Sequence, residues 1–247
     1  MNHITCFVKA KMGMFLIVLA VLGGTGSSDA GLASPEIKAS LSAVADTFVA
    51  SNRSDQVFGA AEGLWVGYDD DGGYEKERIF IRFDGASIPA GAQIESAQLR
   101  LYLGNSTGSD PTMRMTVHRV TEPWEEAALT WNDQIPWVVI GSEATLDVST
   151  AFGWQQWDVT ALLWDWMIMP PADGTIGFRL MGDESEGQHE RAFWSKDCTV
   201  VGCDEKRPLL DVTYTTGRGI WLPLMMNRWP APPDLPLKGG CAYPRGN

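Results

Sequence analysis

Arginines recur at alternate positions of extended segments: Arg78 and Arg82 in one, Arg100 in the next, then Arg114, Arg119, Arg179 and Arg191. A period of two places such residues on one face of a strand. A row of planar guanidinium forks suits carboxylates, because paired N–H···O bonds give both energy and direction. Tyr102 and His118 interleave with them, and Trp65, Tyr68, Tyr74, Trp137, Trp154 and Trp194 are rings that could stack on a pyranose face. Trp137 follows Pro136 in a predicted loop and is the strongest aromatic candidate. The ligand-binding candidates are thus Arg78, Arg82, Arg100, Tyr102 and Trp137, a set able to hold an extended polymer without altering it. The alternative use of each arginine is a cross-strand ion pair with the many Asp and Glu residues.

Carboxylates offer a second chemistry. Asp69, Asp70 and Asp71 precede Gly72-Gly73, a cluster that could collect a calcium ion. The cluster lacks the spaced ligands and closing Glu of an EF-hand, so a solvated acidic turn is the alternative. Catalysis finds little footing. Past the first thirty residues the only histidines are His118 and His189, and neither lies in a nucleophile or metal-ligand motif. There is no Gly-x-Ser-x-Gly, His-Glu-x-x-His or phosphate-binding glycine loop. The expectation is a protein that is not an enzyme.

These side chains must be carried by strands. Ile79, Ile81 and Phe83 alternate with Arg78, Phe80 and Arg82; after the Pro89-Ala90-Gly91 turn, Ala97, Leu99, Leu101 and Leu103 alternate with Gln98, Arg100 and Tyr102. Further strands are predicted over 45–49, 63–67, 113–120, 154–159, 175–181, 191–195 and 209–214. Many short strands separated by Gly, Pro, Asn and Asp point to an all-β sandwich or jelly roll. One short helix is expected, with Thr160 capping 161–167, Leu162, Leu163 and Trp166 on its buried face, and Pro170-Pro171 ending it. Trp124, Trp131, Trp157, Trp164 and Trp166 read as core.

The two ends differ from this middle. Lys9 and Lys11 precede an apolar run over 14–22 and then small residues, which predicts a cleaved signal peptide over 1–30 and a secreted, extracellular protein. An uncleaved anchor is the alternative, but the run is too short to span comfortably. Five prolines from Pro230 to Pro244 mark 217–247 as a C-terminal extension. In an oxidising compartment Cys198 and Cys203 could close a disulfide around Gly202, with Cys241 left over. A metal site is the weaker alternative, and three cysteines permit other pairings. The net charge of −12 argues against nucleic acid and anionic membrane as partners.

Taken in order, the motifs resemble a known family. They are Ala-Asp-Thr-Phe-Val at 45–49, Leu-Trp-Val-Gly at 64–67, Arg-Phe-Asp at 82–84 and Ile-Pro-Ala-Gly-Ala at 88–92. Ala-Gln-Leu-Arg-Leu-Tyr-Leu at 97–103, Val-His-Arg-Val-Thr-Glu-Pro-Trp at 117–124 and Leu-Thr-Trp-Asn at 129–132 follow. Trp-Asp-Val-Thr-Ala-Leu-Leu at 157–163 and Arg-Pro-Leu-Leu-Asp-Val-Thr-Tyr at 207–214 complete the series. The chain resembles the DNRLRE domain, also called carbohydrate-binding module family 96, over a domain spanning 41–216. The resemblance implies an antiparallel β-sandwich of jelly-roll type, secretion, and non-catalytic binding of polysaccharide, with acidic polymers such as alginate the ligand class. Fold analogy adds a structural Ca2+ near Asp46 and Asp211, beside the Asp69 and Asp71 candidates. The alternative function is a structural or adhesive extracellular surface module without a sugar site.

Overall fold

The structure is a computed structural model and describes residues 34–108, 110–133 and 141–216. The proposed signal peptide, Trp137, Cys241 and the extension over 217–247 lie outside the described residues. Ten strands and one α-helix follow in the order β1 (Glu36–Ala50), β2 (Gly63–Asp69), β3 (Glu75–Asp84), β4 (Ala92–Thr107), β5 (Thr112–Val120), β6 (Glu143–Ser149), β7 (Gly153–Asp158), α1 (Thr160–Ile168), β8 (Thr175–Met181), β9 (His189–Trp194) and β10 (Leu209–Thr216). Pairing between β1 and its two neighbours, and between all the other adjacent strands, is antiparallel. No helix among the described residues is long and apolar enough to cross a membrane.

The first strand explains how the sheet closes. Residues 36–42 of β1 pair with β10, whereas 43–50 pair with β3, and the register slips between Ala43 and Ala45. A bulge of this kind bends a strand and lets it leave one layer for another. Hydrogen bonding then runs around a ring, β1-β10-β4-β9-β2-β3 and back to β1, with β8, β5 and β6 continuing from β3 and β7 added to β4. The result is a barrel-like β-sandwich around one core. Leu99, Leu101 and Leu103 of β4 meet Ile79, Ile81 and Phe83 of β3, together with Val117, Phe178 and Leu180, all fully buried. Alternation in β4 is as strict as its sequence predicts: Gln98, Arg100 and Tyr102 are only half-buried.

Alternation fails in β3, for an identifiable reason. Phe80 points away from the main core yet is fully buried, in a second cluster with Ala45, Val49, Val120, Trp124 and Leu129. The segment after β5 folds back as a cover over the outer face of β1 and β3. That face therefore reads as apolar-in on both sides, as strands covered on two sides do.

The helix forms where expected, burying Leu162, Leu163 and Trp166, and Met169 follows it before Pro170. Its start differs from the sequence reading. Thr160 lies inside the helix, and its Oγ1 accepts from the Ala97 amide at 2.9 Å. Asp158 instead receives the Thr160 amide at 3.0 Å, placing a carboxylate at the positive end of the helix. Trp164 is also not core: it is 52% exposed while its Nε1 donates to the Ile94 carbonyl at 2.9 Å.

Candidate functional site

The arginines do not form one face. β3 and β4 are not paired with each other, and each turns its opposite side to the shared core, so their outer residues face apart. On β3, Arg82 Nη1 donates to the Trp124 carbonyl at 2.6 Å, and its guanidinium lies 5.2 Å from the Trp124 ring. Arg78 grips Glu184 through two bonds of 2.6 and 2.8 Å and stacks 4.4 Å from Trp131. Both side chains clamp neighbouring segments onto the outer face of β3. Arg179 and Arg191 are fully buried, and Arg119 nearly so. Arg191 donates to the carbonyls of Glu190, Thr107 and Asp110, and Arg119 to that of Met169. Burial, and then the charge of Arg78, lower the Arg179 pKa to about 9. Arg114 is exposed beside Asp147 at 3.7 Å.

Arg100 has a different setting. Its Nη1 reaches Asp211 Oδ2 at 2.9 Å, and Asp211 accepts from Ser40 Oγ at 2.6 Å. The Arg100 guanidinium lies 4.5 Å from the Trp154 ring centroid. Tyr102, directly opposite Trp154 across the β4–β7 pair, meets that ring edge-on at 5.5 Å. Lys206 Nζ sits 4.7 Å from the Tyr102 ring, reaching in from the turn over 204–206. A strip of Asp211, Arg100, Trp154, Tyr102 and Lys206 thus crosses β10, β4 and β7, with every member half-buried or exposed. Cations held over rings, and rings held against each other, lose little freedom when a ligand lands on them. Tyr102 and Arg100 come together as the alternation predicts, and Trp154 joins them through register. Lys206 carried no sequence signal, because it lies in a turn far along the chain.

Two further aromatic candidates, Trp65 and Trp194, meet elsewhere. Trp65 and Trp194 line a shallow groove of about 230 Å³ together with Gly63 and Gly104. Trp194 lies against Gly104, where an added Cβ would come within 2.8 Å of the indole.

The proposed calcium ligands are not brought together. Asp211 stands in register with Ser40, about 20 Å along an extended strand from Asp46. Asp46 is buried and accepts from Ser195 Oγ at 2.9 Å and the Lys196 amide at 2.7 Å. Glu126 and Asp197 approach it, with one oxygen of each of the three within 4.8 Å of the others. Lys196 Nζ lies 3.0 Å from Glu126 Oε1 and 2.7 Å from Asp197 Oδ2, so the chain supplies its own cation to this trio. Burial raises the Asp46 pKa to about 6, against the pull of the Lys196 amide, Ser195 and the Lys196 charge. Asp69 and Asp71 do not converge on a shared point either. Asp69 accepts the amides of Asp71, Gly72 and Tyr74 at 3.0, 2.7 and 3.3 Å and so shapes its turn, while Asp71 is exposed. Burial opposes the Asp69 charge, but the Gly72 amide, Gln188 and the other amides outweigh it and lower its pKa.

Cys198 and Cys203 are bonded in a disulfide, both nearly fully buried. The loop they close follows directly on Ser195, Lys196 and Asp197, and so fixes the segment that holds the Asp46 trio.

A model of one protein family, carbohydrate-binding module family 96, matches residues 37–200, from the second residue of β1 to the disulfide loop. No curated protein matches the chain.

Proposed function

This chain belongs to carbohydrate-binding module family 96, and from that premise we propose that it is a secreted, non-catalytic module that binds polysaccharide along the outer strip of β4. The observation that carries the reading is the Arg100–Trp154–Tyr102–Lys206 array. Its rings suit the C–H faces of successive sugar residues, and its two cations suit acidic polymers such as alginate. A flat, preorganised strip on a rigid sheet favours an extended chain over a small molecule. Export is supported by the leader pattern over 1–30 and by a disulfide, which persists in oxidising compartments.

Affinity electrophoresis through gels containing acidic or neutral polysaccharides tests the proposal. Retardation by an acidic polymer is expected for the native protein, and Trp154→Ala should weaken it about tenfold, since loss of a preorganised cation–aromatic contact costs on the order of 1–2 kcal/mol. Absence of retardation by any polymer, with folding confirmed by circular dichroism, overturns it. A purely structural module is the second reading, and one feature favours it for part of the surface. Arg78 and Arg82 are already engaged by Glu184, Trp131 and Trp124, so the β3 face serves to hold the covering segment in place.

A further inference from the structure

A cavity of about 300 Å³ opens between β1, β2, β3 and β9, on a different part of the sheet from the Arg100 strip. Phe48, Trp65 and Tyr74 form its walls, and Asp69, Glu77 and Glu190 supply its polar groups. Gly72 completes the lining, and a Cβ there would stand 2.1 Å from Asp69 Oδ2, so only glycine leaves the turn and the cavity intact. No Lys or Arg lines it.

Glu77 is 1% exposed, and its Oε2 has no hydrogen-bond partner among the described residues. An unpaired buried acceptor costs about 1–3 kcal/mol unless a donor reaches it. The neighbouring groups cannot serve. Glu190 is itself a carboxyl group, bonded to Glu77 and held by Thr107 Oγ1 and Gln188 Nε2, each at 2.6 Å. Asp69 is turned toward its own amides. A hydroxyl brought into the cavity would supply that donor. Burial first, then the charges of Glu190 and Asp69, push the Glu77 pKa to about 9, so at neutral pH the two glutamates share a proton. Such a pair presents both donor and acceptor character to a ligand.

We propose that this cavity binds one uncharged pyranose residue, with Trp65 and Tyr74 against its C–H faces and a hydroxyl donating to Glu77 Oε2. Aromatic walls with a few polar groups at one end are the pattern of a small-ligand site, and the volume lies at the lower limit of the usual range of about 300–1,000 Å³. It fits a single ring rather than a chain. Charge sets the selectivity: a uronate would place a fourth carboxyl group beside Asp69, Glu77 and Glu190, and Arg53, 5.7 Å from the Tyr74 ring centroid, is not among the lining side chains. The ligand class rests on the carbohydrate-binding reading above, but the location does not depend on the β4 strip.

Tryptophan-fluorescence titration and affinity electrophoresis with neutral oligo- and polysaccharides (glucans, galactans, mannans), beside a polyuronate, test the site in the native protein and in variants. Trp65→Ala and Glu77→Met should each lower affinity for a neutral sugar at least about tenfold, the latter by removing the acceptor at nearly constant volume. Glu77→Gln should recover most of the affinity lost in Glu77→Met, because its amide can donate to Glu190 and keep its oxygen toward the cavity. Arg114 is exposed on β5 beside Asp147, and Arg114→Ala should leave this binding unchanged. The proposal is overturned if folded Glu77→Met retains neutral-sugar binding, if no neutral sugar binds the native protein, or if a chelator abolishes binding and Ca2+ restores it. Retardation by a polyuronate that survives Trp65→Ala but not Trp154→Ala would leave the β4 strip standing when the cavity falls. The reverse result separates them the other way.

Discussion

At the scale of single residues, the same side-chain type takes opposite roles according to what its strand face meets. Arg100 and Arg82 both occupy alternate positions beside buried leucines or phenylalanines, and the sequence around them gives equal grounds to expect a surface group. Arg100 keeps that role because β7 and β10 leave its face open, whereas Trp124 and Leu129 arrive from elsewhere in the chain to cover Arg82 and Phe80. Alternation reports which side of a strand faces the core, not whether the other side is later covered. Glu77 was invisible for a related reason: in sequence it is one acid within a charged run, and only the closing of β2 and β3 buries it. Its titration has a measurable consequence. The folded protein holds the Glu77 proton up to about pH 9, while the unfolded chain releases it near the ordinary 4.5. The folded state therefore binds more protons across that window, and its stability falls as pH rises through it. Glu77→Gln removes that dependence. Melting temperature measured from pH 5 to 9 should decline for the native protein and stay flatter in the variant, which becomes the more stable of the two at alkaline pH. Asp46, raised to about 6, leaves a residual slope at the acid end in both. Parallel pH profiles for the two proteins would show that Glu77 does not hold the proton.

At the scale of elements, β4 and α1 were legible because each carries a complete local signal: period two over Ala97–Leu103, and an apolar face ended by a proline pair in the helix. β1 was legible only over 45–49, since residues 36–42 mix Lys, Ser and Glu with apolar positions and take their strand form from β10. β6 was missed, although Ala144, Leu146 and Val148 alternate, because the pattern is short and one of its inward residues is only an alanine. The closure of the ring through the register slip at Ala43 has no sequence signature. Neither does the Asp46–Glu126–Asp197 trio, whose members come from β1, the segment covering β3 and the segment after β9. That trio is where three separate elements are tied together, and Lys196 is the tie. Burial works against the Lys196 charge, but Asp197 and Glu126 outweigh it and raise its pKa. Lys196→Met leaves three carboxylates without their cation and should cost about 2 kcal/mol. For a domain of this size that lowers Tm by about 6 °C. The loss should be larger at pH 7.5 than at pH 5, because Asp46 takes up a proton as pH falls below about 6 and relieves the repulsion. An equal loss at both pH values would assign the effect to packing of the lysine stem instead.

At the scale of the whole molecule, cations are scarce and mostly committed. The chain has 19 basic against 31 acidic residues, and five of the seven strand arginines are engaged with buried or covering partners. A polyanion approaching the protein therefore meets a net charge of −12 at long range and Arg100 and Lys206 only on contact. These two influences have different ranges, and salt separates them. Between about 10 and 150 mM ionic strength the screening length falls from roughly 30 to 8 Å, which removes the long-range repulsion while sparing contacts of a few ångström. Toward 1 M it reaches roughly 3 Å, and the contacts themselves weaken. The association rate for an acidic polysaccharide should accordingly rise with salt, pass through a maximum and then fall, whereas that for a neutral polysaccharide should stay nearly level. Biolayer interferometry across this range gives both curves on one immobilised protein. A rate for the acidic polymer that falls steadily from the lowest salt would mean that a local basic field, rather than the net charge, governs its approach. A level curve for both polymers would place the acidic ligand's contacts on the rings alone, with Trp154 and Tyr102 carrying the binding and Arg100 serving to hold them in place.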